Sequence, residues 1–192
     1  MQSQQNSKLV DHGNGNKESH KPFATDVSAI RARARKNVEA GAVTKAYEGN
    51  REAIVKMLND ALATELVCVL RYRLHYYMVR GLNSQPVADE FLEHSNQEQE
   101  HADKIAMRIV QLGGEPDLNP DTLSKRSHAE YVAVKELKDM IRENLVAERI
   151  AIDSYREMIA FVGDSDPTTR VMLEDILAVE EEHADELADL LQ

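Results

Sequence analysis

Tryptophan is absent from the 192 residues, and other aromatics are scarce, with three Phe and six Tyr. Glycine (eight) and proline (five) are few, and Cys68 is the lone cysteine. One cysteine excludes an intramolecular disulfide framework and suits a reducing compartment. No apolar run approaches the length needed to span a bilayer. The opening stretch, MQSQQNSKLVDHGNGNKESHKPF, has no apolar core of the kind a secretory signal needs. The expectation is a cytoplasmic chain with no membrane partner. What remains is rich in Leu, Ala, Glu, Lys, Arg and Met, all good helix formers, which points to an all-α protein.

The net charge of −11 is unevenly spread. Residues 1–46 carry eight Lys/Arg against four Asp/Glu, whereas residues 47–192 carry 15 against 30. An acidic body attracts cations and repels nucleic acid. Residues 1–25 read as a flexible polar tail. Residues 26–49 read as a basic extension, with a short helix after Asp26 and the run RARARK as a solvated or subunit-contacting arm.

From about Asn50, helical spacing takes over. Leu58, Leu62, Glu65, Val69, Tyr72 and Tyr76 recur at intervals of three and four, marking one helix face that reaches about Val79 and stops at Arg80-Gly81. Pro86 opens a second helix that ends at Gly113-Gly114. The stretch GGEPDLNPDTLSKRSH has two prolines and is long for a bundle loop. A third helix is expected from about Ala129 to Val162. A fourth follows Asp166 as N-cap, with Pro167 in its first turn. The reading is a four-helix bundle over 50–192, with a long crossover between its second and third helices.

Two segments carry the chemistry. EQEHAD begins at Glu98 and EEEHAD at Glu180, so Glu98/His101 and Glu180/His183 repeat one Glu-x-x-His spacing. Residues three apart on a helix lie about 60° apart around the axis and can share a cation. Glu65 precedes Glu98 by 33 positions, and Glu148 precedes Glu180 by 32. Both lone glutamates lie in apolar surroundings (LATELVCVL and NLVAERIAI), and each has a tyrosine seven positions on, Tyr72 and Tyr155. A buried carboxylate is costly unless paired or coordinated, and four together repel one another. Two divalent cations balance four carboxylates. Carboxylate and imidazole donors without thiolate suit iron, with manganese as an alternative.

With these residues in view, the body resembles the ferritin-like superfamily, and most closely the bacterioferritins and bacterioferritin-like Dps proteins. The stretch ELVCVLRYRLHYYM is similar to the bacterioferritin first helix. The resemblance implies Glu65 and Glu148 as terminal ligands, Glu98 and Glu180 as bridging ligands, and His101 and His183 as one imidazole for each of two iron ions. It implies a ferroxidase that oxidises Fe(II) with peroxide or dioxygen, stores iron in a hollow homo-oligomeric shell and protects against oxidative stress. Gln99 stands where bacterioferritins have their haem-ligating methionine, so no haem is expected. Nine residues follow His183, too few for the fifth helix of a 24-subunit shell, and with the N-terminal extension this favours 12 subunits. Val179 and Asn144 occupy positions where outer support for the ligands is expected. Tyr72 and Tyr155 are expected to bond a bridging carboxylate across the bundle, with core filling as the alternative, Cys68 to fill core, His75 to lie near the site, and His94 to be solvated, with a place at the site entrance as the alternative. Glu100, Glu181 and Glu182 are expected to face outward or line a cavity. The competing readings are a non-storing dimetal enzyme, such as a manganese catalase or a rubrerythrin-like peroxidase, and a DNA-protecting protein acting through RARARK and the N-terminal lysines.

Overall fold

The computed structural model describes residues 23–36, 38–81 and 84–192. It divides into two units, Met1–Lys36 and Asn37–Gln192. Every regular element among the described residues is helical: α1 (Val27–Ala34), a 3-10 turn (Val38–Ala40), α2 (Arg51–Met78), α3 (Gln85–Gln111), α4 (Leu123–Arg126), α5 (Leu137–Val162) and α6 (Pro167–Asp189). The polar tail expected over 1–25 falls almost wholly outside the described residues.

In the first unit, Asp26 caps α1 by accepting a bond from the Ala29 amide at 2.9 Å. None of its residues is buried, and Arg31 and Arg33 sit in its last turn, where cations complement the helix dipole.

The second unit is built from two helical hairpins, α2 with α3 and α5 with α6. Asn50 caps α2 through the Ala53 amide at 3.2 Å, and Asp166 caps α6 through the Thr169 amide at 2.9 Å. Gly113-Gly114 ends α3 for two separate reasons. Gly113 takes φ +75°, and a Cβ on Gly114 would lie 2.6 Å from the Val55 side chain. Residues ahead of α2 join this unit as well, since Val43 and Tyr47 pack against its core.

The crossover lies along α2 and is fastened to it by side chains. Asn59 accepts from the Asp117 amide (2.7 Å) and donates to the Glu115 carbonyl (3.1 Å). Thr64 accepts from the His128 amide (2.9 Å), and Arg71 donates to the Glu130 carbonyl (3.0 Å). Arg126 ties the strap together by donating to the carbonyls of Asn59 and Asp117. This corrects the expected third helix. Residues 129–136 stay non-helical and α5 begins at Leu137, because the crossover backbone is held by α2 and Ala129 is buried against the bundle. Tertiary contact overrides local propensity there.

The apolar core comes in two parts. One runs from Ile54 to Leu62 on α2 and includes Ile105, Tyr155 and Leu173. The other holds Cys68, Tyr72, Phe91, Met140 and Leu187. Along each long helix the sequence passes from one cluster to the other, and the buried Glu and His residues lie at that junction. A polar layer therefore crosses the middle of the bundle.

A separate buried ion pair locks one end. Arg108 on α3 donates to both Asp166 oxygens (2.8 and 3.0 Å) and to the Thr169 hydroxyl (2.8 Å), while Tyr47 donates to Asp166 at 2.9 Å. Burial pushes the Asp166 carboxyl up, but the bonds from Thr169, Arg108 and Tyr47 outweigh it and hold it below the usual range. Asp166→Ala removes a helix cap and strands a buried guanidinium, so chemical denaturation should show a loss of about 3–5 kcal/mol. A loss below about 1 kcal/mol would mean the lock is not structural.

Candidate metal centre

Glu65, Glu98, His101, Glu148, Glu180 and His183 are each at most 2 % exposed, and the structure brings all six together. They form two overlapping sets. Glu65, Glu98, His101 and Glu180 can converge on one cation, and Glu98, Glu148, Glu180 and His183 on another. Glu98 and Glu180 belong to both, the geometry of two cations sharing two carboxylates.

Antiparallel register produces this convergence. Tyr155 on α5 donates to Glu65 on α2 at 2.5 Å, and Tyr72 on α2 donates to Glu148 on α5. Moving seven residues forward on α2, from Glu65 to Tyr72, moves seven back on α5, from Tyr155 to Glu148. On the other helix pair, His101 Nδ1 lies 3.0 Å from Glu180, and His183 Nδ1 lies 3.5 Å from Glu98. Three residues forward on α3 match three back on α6. The repeated spacings in the sequence are this pseudo-symmetry.

The tyrosine bonds correct one expectation. Both phenols hold the lone glutamates, Glu65 and Glu148, rather than the shared pair. Each takes Oε1 and leaves Oε2 without a partner. Burial first, and then the neighbouring carboxylates, push both phenols well above their ordinary pKa, so both stay neutral donors.

The test of fit is in the unpartnered atoms. Glu65 Oε2, Glu98 Oε1, His101 Nδ1, Glu148 Oε2, both Glu180 oxygens and His183 Nδ1 are buried without a hydrogen bond. Buried polar atoms rarely go unsatisfied, and here each of the six residues contributes at least one. His183 donates through Nε2 to Gln97 at 2.7 Å, which leaves Nδ1 facing the carboxylates. Oxygen and imidazole nitrogen suit iron or manganese. Cys68 is buried with its thiol 3.8 Å from the Arg71 guanidinium, and it belongs to neither set.

In the metal-free protein, protons stand in for cations. Burial, then the other carboxylates, push Glu98 and Glu180 well above the ordinary range. Burial disfavours a charged His183, but Glu148, Glu180 and Glu98 outweigh it and push its pKa up to about 12. Burial also opposes ionisation of Glu148, yet the neighbouring His183 and Glu180 and the bond from Tyr72 bring it down to about 2.

The flanking residues divide. Asn144 on α5 accepts from Arg71 on α2 (3.1 Å) and meets His75 Nδ1, also on α2, at 3.0 Å, in a fully buried polar group between the two helices. Val179 is only partly buried, while Glu100, Glu181 and Glu182 are exposed. Gln99 bonds Asp103 one turn on. His94 is the clearest correction. It is 1 % exposed, stacks on His183 with ring centroids 3.9 Å apart, and meets Tyr72 and Glu186. Its position four residues before Glu98 and seven before His101 was the available signal. Gln97 had none, because its role depends on which α6 residue lies opposite.

A profile described as the ferritin-like domain of the ferritin family matches residues 55–192. The chain belongs to the ferritin-like family. The bacterioferritin of Brucella melitensis is 33 % identical over 135 residues, covering 69 % of this chain and 78 % of that one. A bacterioferritin-related protein from Bacteroides fragilis, described as a dodecameric thioferritin, superposes with a TM-score of 0.72 at 32 % identity, covering 75 % of this chain and 87 % of that one. Dps from Thermosynechococcus elongatus has a TM-score of 0.71 at 19 % identity, covering 73 % and 91 % respectively, a likeness of fold. Among the described residues, no helix of this ferritin-like chain is long and apolar enough to cross a membrane.

The charge layer should be visible in stability. A carboxyl whose pKa is raised by folding lowers stability as pH rises above its unfolded value, here 4.5. Metal-free Glu98→Gln should therefore melt higher than metal-free wild type at pH 7, with the gap closing toward pH 4.5. Adding Mn(II) should raise the wild-type melting temperature strongly and the variant's weakly. Equal metal-induced shifts in thermal scans would contradict the arrangement.

Proposed function

We propose that the chain is the subunit of an iron-storing shell and oxidises Fe(II) at an intrasubunit dinuclear site. The observation that carries this reading is the set of unpartnered donor atoms, arranged as two groups sharing Glu98 and Glu180. Family membership supports it. Fe(II) is substrate here. One ion would be held by Glu65 and His101 and the other by Glu148 and His183, with the shared glutamates between them.

The protein supplies geometry and charge. Four carboxylates match two divalent cations, which displace the protons that Glu98, Glu180 and His183 otherwise hold. Tyr72 and Tyr155 keep the outer glutamates aimed inward, and Gln97 sets the tautomer of His183. In the redox step each Fe(II) gives up one electron. Peroxide takes the two electrons and two protons as its O–O bond breaks, leaving two waters. With dioxygen as oxidant, the same two electrons and two protons leave hydrogen peroxide. Ferric product then moves to the acidic interior of the shell.

Exposed apolar side chains on the bundle support assembly. Leu70, Tyr77, Met107, Val110 and Phe161 are all more than half exposed, more than a solitary bundle needs. The dodecameric Bacteroides relative favours 12 subunits.

Aerobic addition of Fe(II) to the metal-free protein should give ferric absorbance with a break near two iron per chain. Glu98→Ala or Glu180→Ala should abolish the fast phase, lowering its rate at least about 100-fold if the shared carboxylates set the geometry. Unchanged fast oxidation in both variants would refute the site. Native mass should give a closed shell of 12 subunits, and a dimer would contradict storage.

A further inference from the structure

The two candidate cation positions are built from matching residues, yet what stands behind their imidazoles differs. A residue of α3 has its counterpart 82 positions later on α6, as Glu98 has Glu180 and His101 has His183. By the same offset Gln97 corresponds to Val179, and His94 to Ile176. Both departures from the repeat act in one direction. They give His183 polar and aromatic neighbours and leave His101 with aliphatic ones.

Gln97 holds His183 by its far nitrogen. Its Oε1 accepts from Nε2 at 2.7 Å, and the His94 ring stacks on the imidazole with centroids 3.9 Å apart. Held in this way, His183 Nδ1 stands nearly equidistant from three carboxylates, 3.5 Å from Glu98, 3.7 Å from Glu180 and 3.9 Å from Glu148. Nδ1 bonds none of them, and Glu98 Oε1, Glu148 Oε2 and both Glu180 oxygens are unpartnered as well. A cation entering there meets donors already spaced around it.

On the other side Val179 has no acceptor to offer, and Ile176 has no ring to stack. His101 leans towards one carboxylate instead. Its Nδ1 is 3.0 Å from Glu180, 3.4 Å from Glu65 and 3.9 Å from Glu98. To share a cation evenly, this ring must turn away from Glu180 with no help from Val179 at its far nitrogen. An outer partner fixes the orientation of a ligating imidazole and raises its basicity, and losing one costs about 10–100-fold in metal affinity.

We infer that the two positions are unequal by construction. Glu148 and His183 form the tight position, which fills first and keeps its ion; Glu65 and His101 form the weak one, whose ion exchanges. The residues at 97 and 179 set the difference. This rests on the dinuclear reading above and adds which of the two ions is replaced.

The test titrates the assembled, metal-free protein with Co(II), which binds without oxidation and reports by absorbance. Wild type should bind in two steps whose dissociation constants differ at least about tenfold. Val179→Gln should tighten the second step towards the first, whereas Gln97→Val should weaken the first at least about tenfold and Gln97→Glu, which keeps an acceptor oxygen, should preserve it. Glu65→Gln should remove the weak step and leave the tight one, and Glu148→Gln should do the reverse. Equal constants in wild type, an unmoved second step in Val179→Gln, or loss of the tight step in Glu65→Gln overturns the inference. Glu98→Gln/Glu180→Gln separates its failure from that of the dinuclear reading. Loss of both steps in that variant with equal wild-type constants overturns the inequality alone, and Co(II) binding unchanged from wild type overturns the dinuclear reading and the inequality with it.

Discussion

Four carboxylates are held together in a layer where water cannot solvate them, and the rest of the bundle is arranged around that repulsion. Glu65, Glu98, Glu148 and Glu180 are each about 1 % exposed or less. Apolar clusters lie on both sides of them along the bundle axis. Those clusters supply the burial that forces the charges together. The same burial pushes Glu98 and Glu180 to hold protons, and in the proposed function divalent cations take the place of those protons.

The surrounding polar groups make that arrangement specific. Tyr72 and Tyr155 tie up one oxygen of each outer glutamate and leave the other oxygen for the centre. Gln97 occupies the outer nitrogen of His183. The crossover is fastened to α2 by Asn59, Thr64 and Arg71. Arg108 and Asp166 lock the far end. A shift of one residue along either antiparallel pair would separate every reciprocal contact.

Much of this was legible in the chain because the constraint is periodic. Glu-x-x-His twice, a lone glutamate about 32 residues before each, and a tyrosine seven after each lone glutamate encode the register of four helices. The fold class was legible in the helix-forming composition and the apolar spacing, and the grouping of the six residues in these repeated offsets. Features fixed by contact across the bundle were not legible. The stretch 129–136 has helix-forming residues, yet Arg71 of α2 holds the Glu130 carbonyl, Thr64 holds the adjoining His128 amide, and Ala129 is buried against the bundle. Gln97 acquires its role from the α6 residue opposite. The tyrosines' choice of the outer glutamates depends on antiparallel register, which spacing suggests but does not state. His94 shares the i, i+4, i+7 line of Glu98 and His101, and only its burial shows that it is part of the polar layer.

The central claim is that two cations sit side by side within one subunit, sharing Glu98 and Glu180. Anomalous diffraction at the iron edge from crystals loaded with Fe(II) without oxygen tests it most directly. The account predicts two strong peaks inside each bundle, both in contact with Glu98 and Glu180, one reaching Glu65 and His101 and the other Glu148 and His183. A single peak within each bundle, or iron held between residues of neighbouring subunits, would contradict it.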